Sequence, residues 1–176
     1  DANDVLGQGL VQSPLVAVGL GFAMALLLFG SVLLHELGHS LVAKSQGISV
    51  KSITLFLFGG VASIDRESQT PLAAFAVAIA GPLVSFTLFG LFWVLWQYAP
   101  LGGAGTFLVR DLARLNLVLA LFNLIPGLPL DGGQMFKAIV WKWTVDRLKG
   151  IRYAAASGKL LDTVAIAFGL LAVLLV

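Results

Sequence analysis

Four long apolar runs organise this chain, and the breaks between them carry its chemistry. Pro14 through Ala43 is nearly unbroken, and a proline suits the first turn of a helix. At about 1.5 Å per residue this run is about 45 Å long, more than the roughly 30 Å hydrocarbon core of a bilayer, so its far end protrudes or the helix tilts. A different rhythm follows in "SQGISVKSITLFLFGGVASIDRES", rich in β-branched and aromatic residues with no helical period. It predicts a strand or strand pair over Ile53 to Ile64, hinged at Gly59-Gly60.

A second span is expected from Pro71 to Tyr98, with Gly81-Pro82 inside it implying a kink or a close helix contact. The loop "APLGGAGT" carries no charge. A third apolar segment, Phe107 to Ile125, runs into "PGLPLDGGQ", which no helix traverses intact. Met135 to Trp143 predicts a short helix, the basic stretch "KWTVDRLKGIR" follows, and Leu160 to Val176 reads as a last span. The fold class is therefore a polytopic, membrane all-α helical bundle with one small membrane-associated β element, built as a single domain over residues 1–176.

Composition agrees with this reading. The chain is 59% hydrophobic and only 11% charged, where an ordinary soluble domain has roughly 25% charged residues. A net charge of +2 is too small to suggest nucleic acid as a partner, so the lipid bilayer is the medium the sequence is written for. There is no cysteine, hence no disulfide, thiolate nucleophile or cysteine metal ligand. The polar opening from Asp1 to Ser13, without an initiator Met, and the apolar ending "LLAVLLV" read as a piece of a longer protein.

The charges set an orientation. Lys44, Lys51 and Arg66 lie between the first two spans, and Lys142, Arg147, Lys149 and Arg152 precede the last, so both groups are expected in the cytosol. Arg110 and Arg114 do not fit this rule and receive no assignment.

Both histidines of the chain sit in "SVLLHELGHSLVAK", inside the first run. His35 and His39 are four residues apart, so their side chains lie one above the other on one helix face. That spacing lets two imidazoles hold one Zn2+, with Glu36 placed as base toward a zinc-activated water. The alternative, two core histidines satisfied by backbone carbonyls, would carry weight in a soluble protein. At membrane depth, a buried ionisable trio argues for function.

A catalytic zinc takes a third protein ligand and keeps one open position. Without another His or a Cys, that ligand is a carboxylate, and eight remain besides Glu36. Asp1, Asp4 and Asp146 lie in polar or terminal stretches, Asp162 starts the last span, and Asp111 has Arg110 and Arg114 beside it as ion-pair partners. Asp65 and Glu67 belong to a solvated turn, although Glu67 could mimic the downstream Glu of soluble zinc proteases. Asp131 stands apart in "NLIPGLPLDGGQ", where two prolines and three glycines force open backbone at the end of a membrane segment. The other use of Asp131 is to cap the helix that follows. Depth is an independent check. His39 lies about 8 Å and His35 about 14 Å from Lys44 along a helix, and Asp131 follows the segment that returns to the same face.

Together, "HELGH", "FGGVAS", "AGPLVS" and "FNLIPGLPLDGG" resemble, in that order, the motifs of the site-2 protease family, intramembrane zinc metalloproteases. The resemblance covers roughly residues 31 to 139. It implies zinc held by His35, His39 and Asp131, Glu36 as catalytic base, and Asn123 positioning or polarising the scissile carbonyl. Asn123 is equally suited to a helix–helix hydrogen bond, and Asn116 suits that role better. The soluble metzincin extension is absent, since Val42 and Ser45 occupy its Gly and His positions. A membrane helix that usually precedes the zinc helix in this family has no counterpart in Asp1 to Ser13, and the paired regulatory CBS domains of many prokaryotic members have none either.

The implied activity is hydrolysis of a peptide bond in a membrane-spanning protein substrate, in a prokaryotic cell membrane and near its cytosolic face. A metal-binding transporter is the rival, but it would string ionisable groups between the two faces, whereas here they cluster at one depth. A binding-only relative is a second rival, and the intact Glu36 argues against it. A substrate helix must be locally extended before water reaches its backbone. Phe58, Gly59, Gly60, Val61 and Ala62 are the expected edge for pairing with it, or else part of a hairpin that only covers the site. Topology is testable without a substrate: single cysteines at Gly103 and at Gln69 should label from opposite faces of the membrane. Labelling from one face would overturn the charge argument.

Overall fold

The computed structural model describes residues 14–56, 59–64 and 68–174. Their order is α1 (Pro14–Ser45), β1 (Val50–Phe56), β2 (Gly59–Ile64), α2 (Pro71–Tyr98), α3 (Gly103–Asn123), α4 (Asp131–Thr144) and α5 (Arg147–Leu174). Three of these helices, α1, α2 and α5, are long and apolar enough to cross a membrane. At 21 residues α3 is about 31 Å long, enough to cross, but it carries Arg110, Asp111 and Arg114. α2 packs between α1 and α3 and also touches α4, while α5 packs on α4.

The packing inverts the rule of a soluble protein. Leu15, Phe22, Leu26, Phe29, Phe168 and Leu170 point outward, while Ala43, Ala78, Ala80, Ala113, Ala120, Ala138 and Ala154 make up most of the buried apolar core. Lipid tails solvate large apolar side chains as well as a protein core does, so helices gain by close backbone approach through small residues instead. At the crossing of α1 and α2, a Cβ on Gly38 would stand 3.0 Å from the Ala80 carbonyl oxygen. That contact brings the histidine face of α1 hard against α2.

Polar residues turn inward for the same reason, since hydrocarbon offers them no partner. The buried stripe of α1 steps by four residues through Ser31, His35, His39 and Ala43, with Glu36 and Ser40 beside it. Asn116 of α3 is fully buried. Its amide donates to Ser31 Oγ at 3.1 Å and to the Leu112 carbonyl at 2.9 Å, so it is a helix–helix contact, the role that suited it in the sequence.

Four boundaries differ from the sequence pattern. Gly59 and Gly60 are not a hinge: they are the first residues of β2, paired with Phe56 and Leu55 in the antiparallel hairpin. The third helix starts at Gly103, ahead of Phe107. The short helix is longer than Met135 to Trp143, because it begins at Asp131. The last span does not start at Leu160. Asp146 Oδ1 accepts from the Leu148 and Lys149 amides at 2.9 and 3.2 Å, capping a helix that makes the basic stretch its first turns. Asp162 consequently lies exposed midway along α5.

The Ser31–Asn116 bond generates a stability prediction. Ser31→Ala and Asn116→Ala should show a coupling of about 0.6 kcal/mol, and not above about 1.7, in a double-mutant cycle of unfolding in detergent or bicelles. Strict additivity would show that the bond contributes nothing.

Candidate metal centre

Three elements bring the site together. His35 and His39 come from the buried stripe of α1, Asp131 from the first turn of α4, and α2 forms the wall behind them. Between α3 and α4 the chain makes a tight loop, with the Leu130 amide bonded to the Gly127 carbonyl at 3.0 Å and a cis Leu128–Pro129 peptide. Asp131 does not cap α4. The capping position belongs to Leu130, with no side-chain bond there, so both carboxylate oxygens of Asp131 remain available.

The ligand atoms form a small triangle. His35 Nε2 lies 3.1 Å and His39 Nε2 3.2 Å from Asp131 Oδ2, and the two Nε2 atoms are 3.3 Å apart. With bonds of about 2.0–2.1 Å, two ligands of a tetrahedral zinc stand about 3.3 Å apart. The triangle has the size of one face of that tetrahedron. Among the described residues this is the group of His and carboxylate side chains able to hold a metal ion.

Hydrogen bonding behind the histidines points the same way. His39 Nδ1 lies 2.7 Å from the Val77 carbonyl, which can only accept, so Nδ1 carries the proton and Nε2 presents a bare lone pair. His35 Nδ1 lies 2.9 Å from Ser85 Oγ, a hydroxyl that can accept a proton from the same tautomer. With both rings neutral in that tautomer, two lone pairs and a carboxylate oxygen converge with no proton between them. A bound cation resolves that repulsion, and the hydrogen bonds behind each ring orient it as metal-ligating histidines require.

α2 makes room for this centre. Val77, Gly81 and Ser85 recur every four residues along one face of the helix, with Pro82 buried beside them. A Cβ on Gly81 would collide with Nε2 of both His35 and His39. Gly81 is thus the floor of the metal position, and only a residue without a side chain leaves the space open. The sequence places "AGPLVS" near the middle of a span and suggests close contact, but the partnership of Val77 and Ser85 with the histidines has no local signature.

The other residues singled out from the sequence divide clearly. Glu36 is buried on α1 next to His35. Asn123, half-buried, donates to the Leu119 carbonyl of its own helix at 3.0 Å rather than to a neighbouring helix. Asp111 pairs with Arg110 at 3.0 Å and with Arg114 at 3.7 Å, and Arg110 also stacks over Phe107, so this cluster satisfies itself away from the triangle. Gly59, Gly60, Val61 and Ala62 lie in β2, which packs against α1. Phe58, Asp65, Glu67, Asp1 and Asp4 lie outside the described residues.

The role of Gly81 is testable. Gly81→Ala should keep the helical content, since alanine favours helices, yet lose most bound zinc, as His35→Ala does. Metal analysis of the purified protein reads this directly, and full zinc occupancy in Gly81→Ala would place the metal elsewhere.

Comparison with known proteins gives the family. The model of the peptidase family M50 matches residues 23–103 and 103–161. "Putative zinc metalloprotease sll0528" of Synechocystis sp. is 54% identical over 172 residues, covering 96% of this chain and 45% of that protein. Zinc metalloprotease MJ0392 of Methanocaldococcus jannaschii is 42% identical over 146 residues, covering 83% of this chain and 42% of its own. The chain therefore spans less than half the length of these relatives. The solved structure of a site-2 protease from Methanocaldococcus jannaschii superposes with a TM-score of 0.72 at 38% identity, over 96% of this chain and 75% of that one. By this family match and these relatives, the chain belongs to the M50 family of zinc metalloproteases, in an integral membrane protein.

Proposed function

We propose that this chain is the catalytic core of an intramembrane protease that hydrolyses a peptide bond in membrane-spanning protein substrates. The observation that carries the reading is the triangle of two imidazole nitrogens and one carboxylate oxygen, 3.1–3.3 Å on a side, buried in an apolar bundle. His35, His39 and Asp131 hold the zinc. When bound there, zinc polarises a carbonyl and makes a water acidic enough to attack it near neutral pH.

The chain supplies the rest. Glu36, buried one residue from a ligand, takes the proton of the attacking water and delivers it to the nitrogen of the leaving amine. Asn123, at the end of α3 and eight residues before Asp131, aims its amide at the scissile carbonyl and limits its rotation. The α2 wall, with Ser85 fully buried and Val77 behind His39, excludes bulk water from the ligands and holds their rings still. The basic loops on one side support a centre near the cytosolic face, and the family resemblance supports a prokaryotic cell membrane.

Substrate entry requires a backbone that is extended rather than helical. The β1–β2 hairpin packs against α1, the helix that carries both histidines, and in a two-stranded sheet each strand keeps one edge free of the other. We assign the segment Gly59 to Ala62, with the neighbouring Phe58, to pairing with the unwound substrate. An edge that reads backbone donors and acceptors accepts many sequences.

Two experiments test the chemistry. Asp131→Asn should lower zinc occupancy as His35→Ala does, whereas Glu36→Gln should keep zinc and lose cleavage by roughly 100-fold or more, because it cannot accept a proton. Loss of zinc in Glu36→Gln would make Glu36 a ligand instead. Full zinc in Asp131→Asn would put the third ligand elsewhere, with Glu67 next in line.

The strand is tested separately. Val61 and Ala62 are adjacent in β2, opposite Thr54 and Ile53, so their amides face opposite edges of the strand. Proline at the outward-facing position should impair cleavage of a helical substrate and leave zinc content intact. Normal cleavage by both Val61→Pro and Ala62→Pro would rule out pairing there.

A further inference from the structure

The third ligand is held from a direction that the metal site itself does not reveal. Gly132 and Gly133, just after Asp131, lie against the loop that precedes them. A Cβ on Gly132 would collide with the Leu124 and Ile125 carbonyl oxygens, and one on Gly133 with the Gly127–Leu128 peptide. The same short stretch of loop is met from α5. A Cβ on Gly158 would stand 2.6 Å from the Leu128 carbonyl oxygen, and one on Gly127 would stand 3.0 Å from the Gly158 Cα. The Leu128 amide also lies 3.4 Å from the carbonyl of Ala154, one turn before Gly158 in α5 and fully buried. Two helices thus close on the backbone of Gly127 and Leu128 through glycines, and the helix start that bears Asp131 is one of them.

We propose that Gly158 of α5 is a positioning residue for the metal centre: it lets α5 lie backbone to backbone on Gly127 and Leu128, and that stretch of backbone seats Gly133 and so aims the Asp131 carboxylate two residues before it. The proposal rests on Asp131 being a zinc ligand. The physical reason is steric. A main-chain oxygen 2.6 Å from a new Cβ cannot swing away as a side chain can, so the loop must move, and Asp131 lies three residues from Leu128. His35 and His39 come from α1 and are oriented by α2, so the disturbance reaches one ligand and spares two.

The test uses the full chain, purified with zinc, and measures zinc loss into excess chelator. Gly158→Ala should lose zinc about 10-fold faster or more, the range seen when the supports of metal ligands are removed. It should also change the visible absorption of the cobalt-substituted protein. Gly169→Ala is the control in the same helix, since a Cβ there would meet nothing within 4 Å. Because Gly158 acts through Asp131, the double variant Gly158→Ala with Asp131→Asn should lose zinc no faster than Asp131→Asn alone. Additive effects, or a wild-type rate and spectrum in Gly158→Ala beside fast loss in Asp131→Asn, would overturn the positioning role and leave the ligand assignment standing. An unchanged rate in Asp131→Asn would overturn the ligand assignment and this proposal with it. If Gly158→Ala does not fold, Leu161→Ala decides. The Leu161 side chain stands 2.8 Å from where a Gly127 Cβ would be. Removing it inserts nothing, and zinc loss a few-fold faster supports the role, while an unchanged rate refutes it.

Discussion

Three electron-rich atoms crowded together in a low-dielectric interior are the constraint around which this molecule is organised. His35 Nε2, His39 Nε2 and Asp131 Oδ2 lie within 3.3 Å of one another, while the Nδ1 atoms face Ser85 Oγ and the Val77 carbonyl. Without a cation the arrangement is repulsive, and far more so in an apolar bundle than in water. A cation held by the three atoms would turn that repulsion into attraction. The zinc protease family to which the chain belongs and the architecture around this triangle express one requirement, a cation held dry but reachable.

The rest of the bundle meets that requirement by close approach. Gly38 brings α1 to α2, Gly81 clears the floor beneath the histidine rings, and Gly132 and Gly133 bring α4 onto the preceding loop. Each contact would be cheap to lose in a protein packed by large side chains. In a membrane, small residues at helix crossings supply much of the association energy, so the packing that stabilises the bundle is also what sets the ligand geometry. Pro82 belongs to this logic. Its missing amide loosens α2 locally, and its neighbours there form the wall that holds the rings.

Charges away from the site obey the same economy of partners. Asp111 is taken up by Arg110 and Arg114, and Asp146 by the amides that open α5, so neither is free for a metal. Asp131 differs because its helix is capped at Leu130 without any side-chain bond, and its carboxylate faces two imidazoles instead of a cation of the protein.

Much of this was legible in the sequence, for a physical reason. Helical periodicity is local, so His35 and His39, four residues apart, had to share a face wherever the helix lay. Unbroken apolar runs had to sit in lipid, and the Pro-Gly stretch before Asp131 had to open the backbone. By elimination and by motif, the sequence also nominated the third ligand. It could not show that α4 starts at Asp131 rather than Met135, nor that the basic stretch is continuous with the last span. Both depend on where a cap forms, and a cap is decided by tertiary surroundings as much as by residue type. Nor could it foresee the hairpin register that draws Gly59 and Gly60 into a strand. The Val77 carbonyl, Ser85 Oγ and the space above Gly81 lay furthest from reach. A hydrogen bond or a steric clearance between residues some forty to fifty positions apart leaves no trace in either local stretch, and exists only once α1 and α2 are packed together.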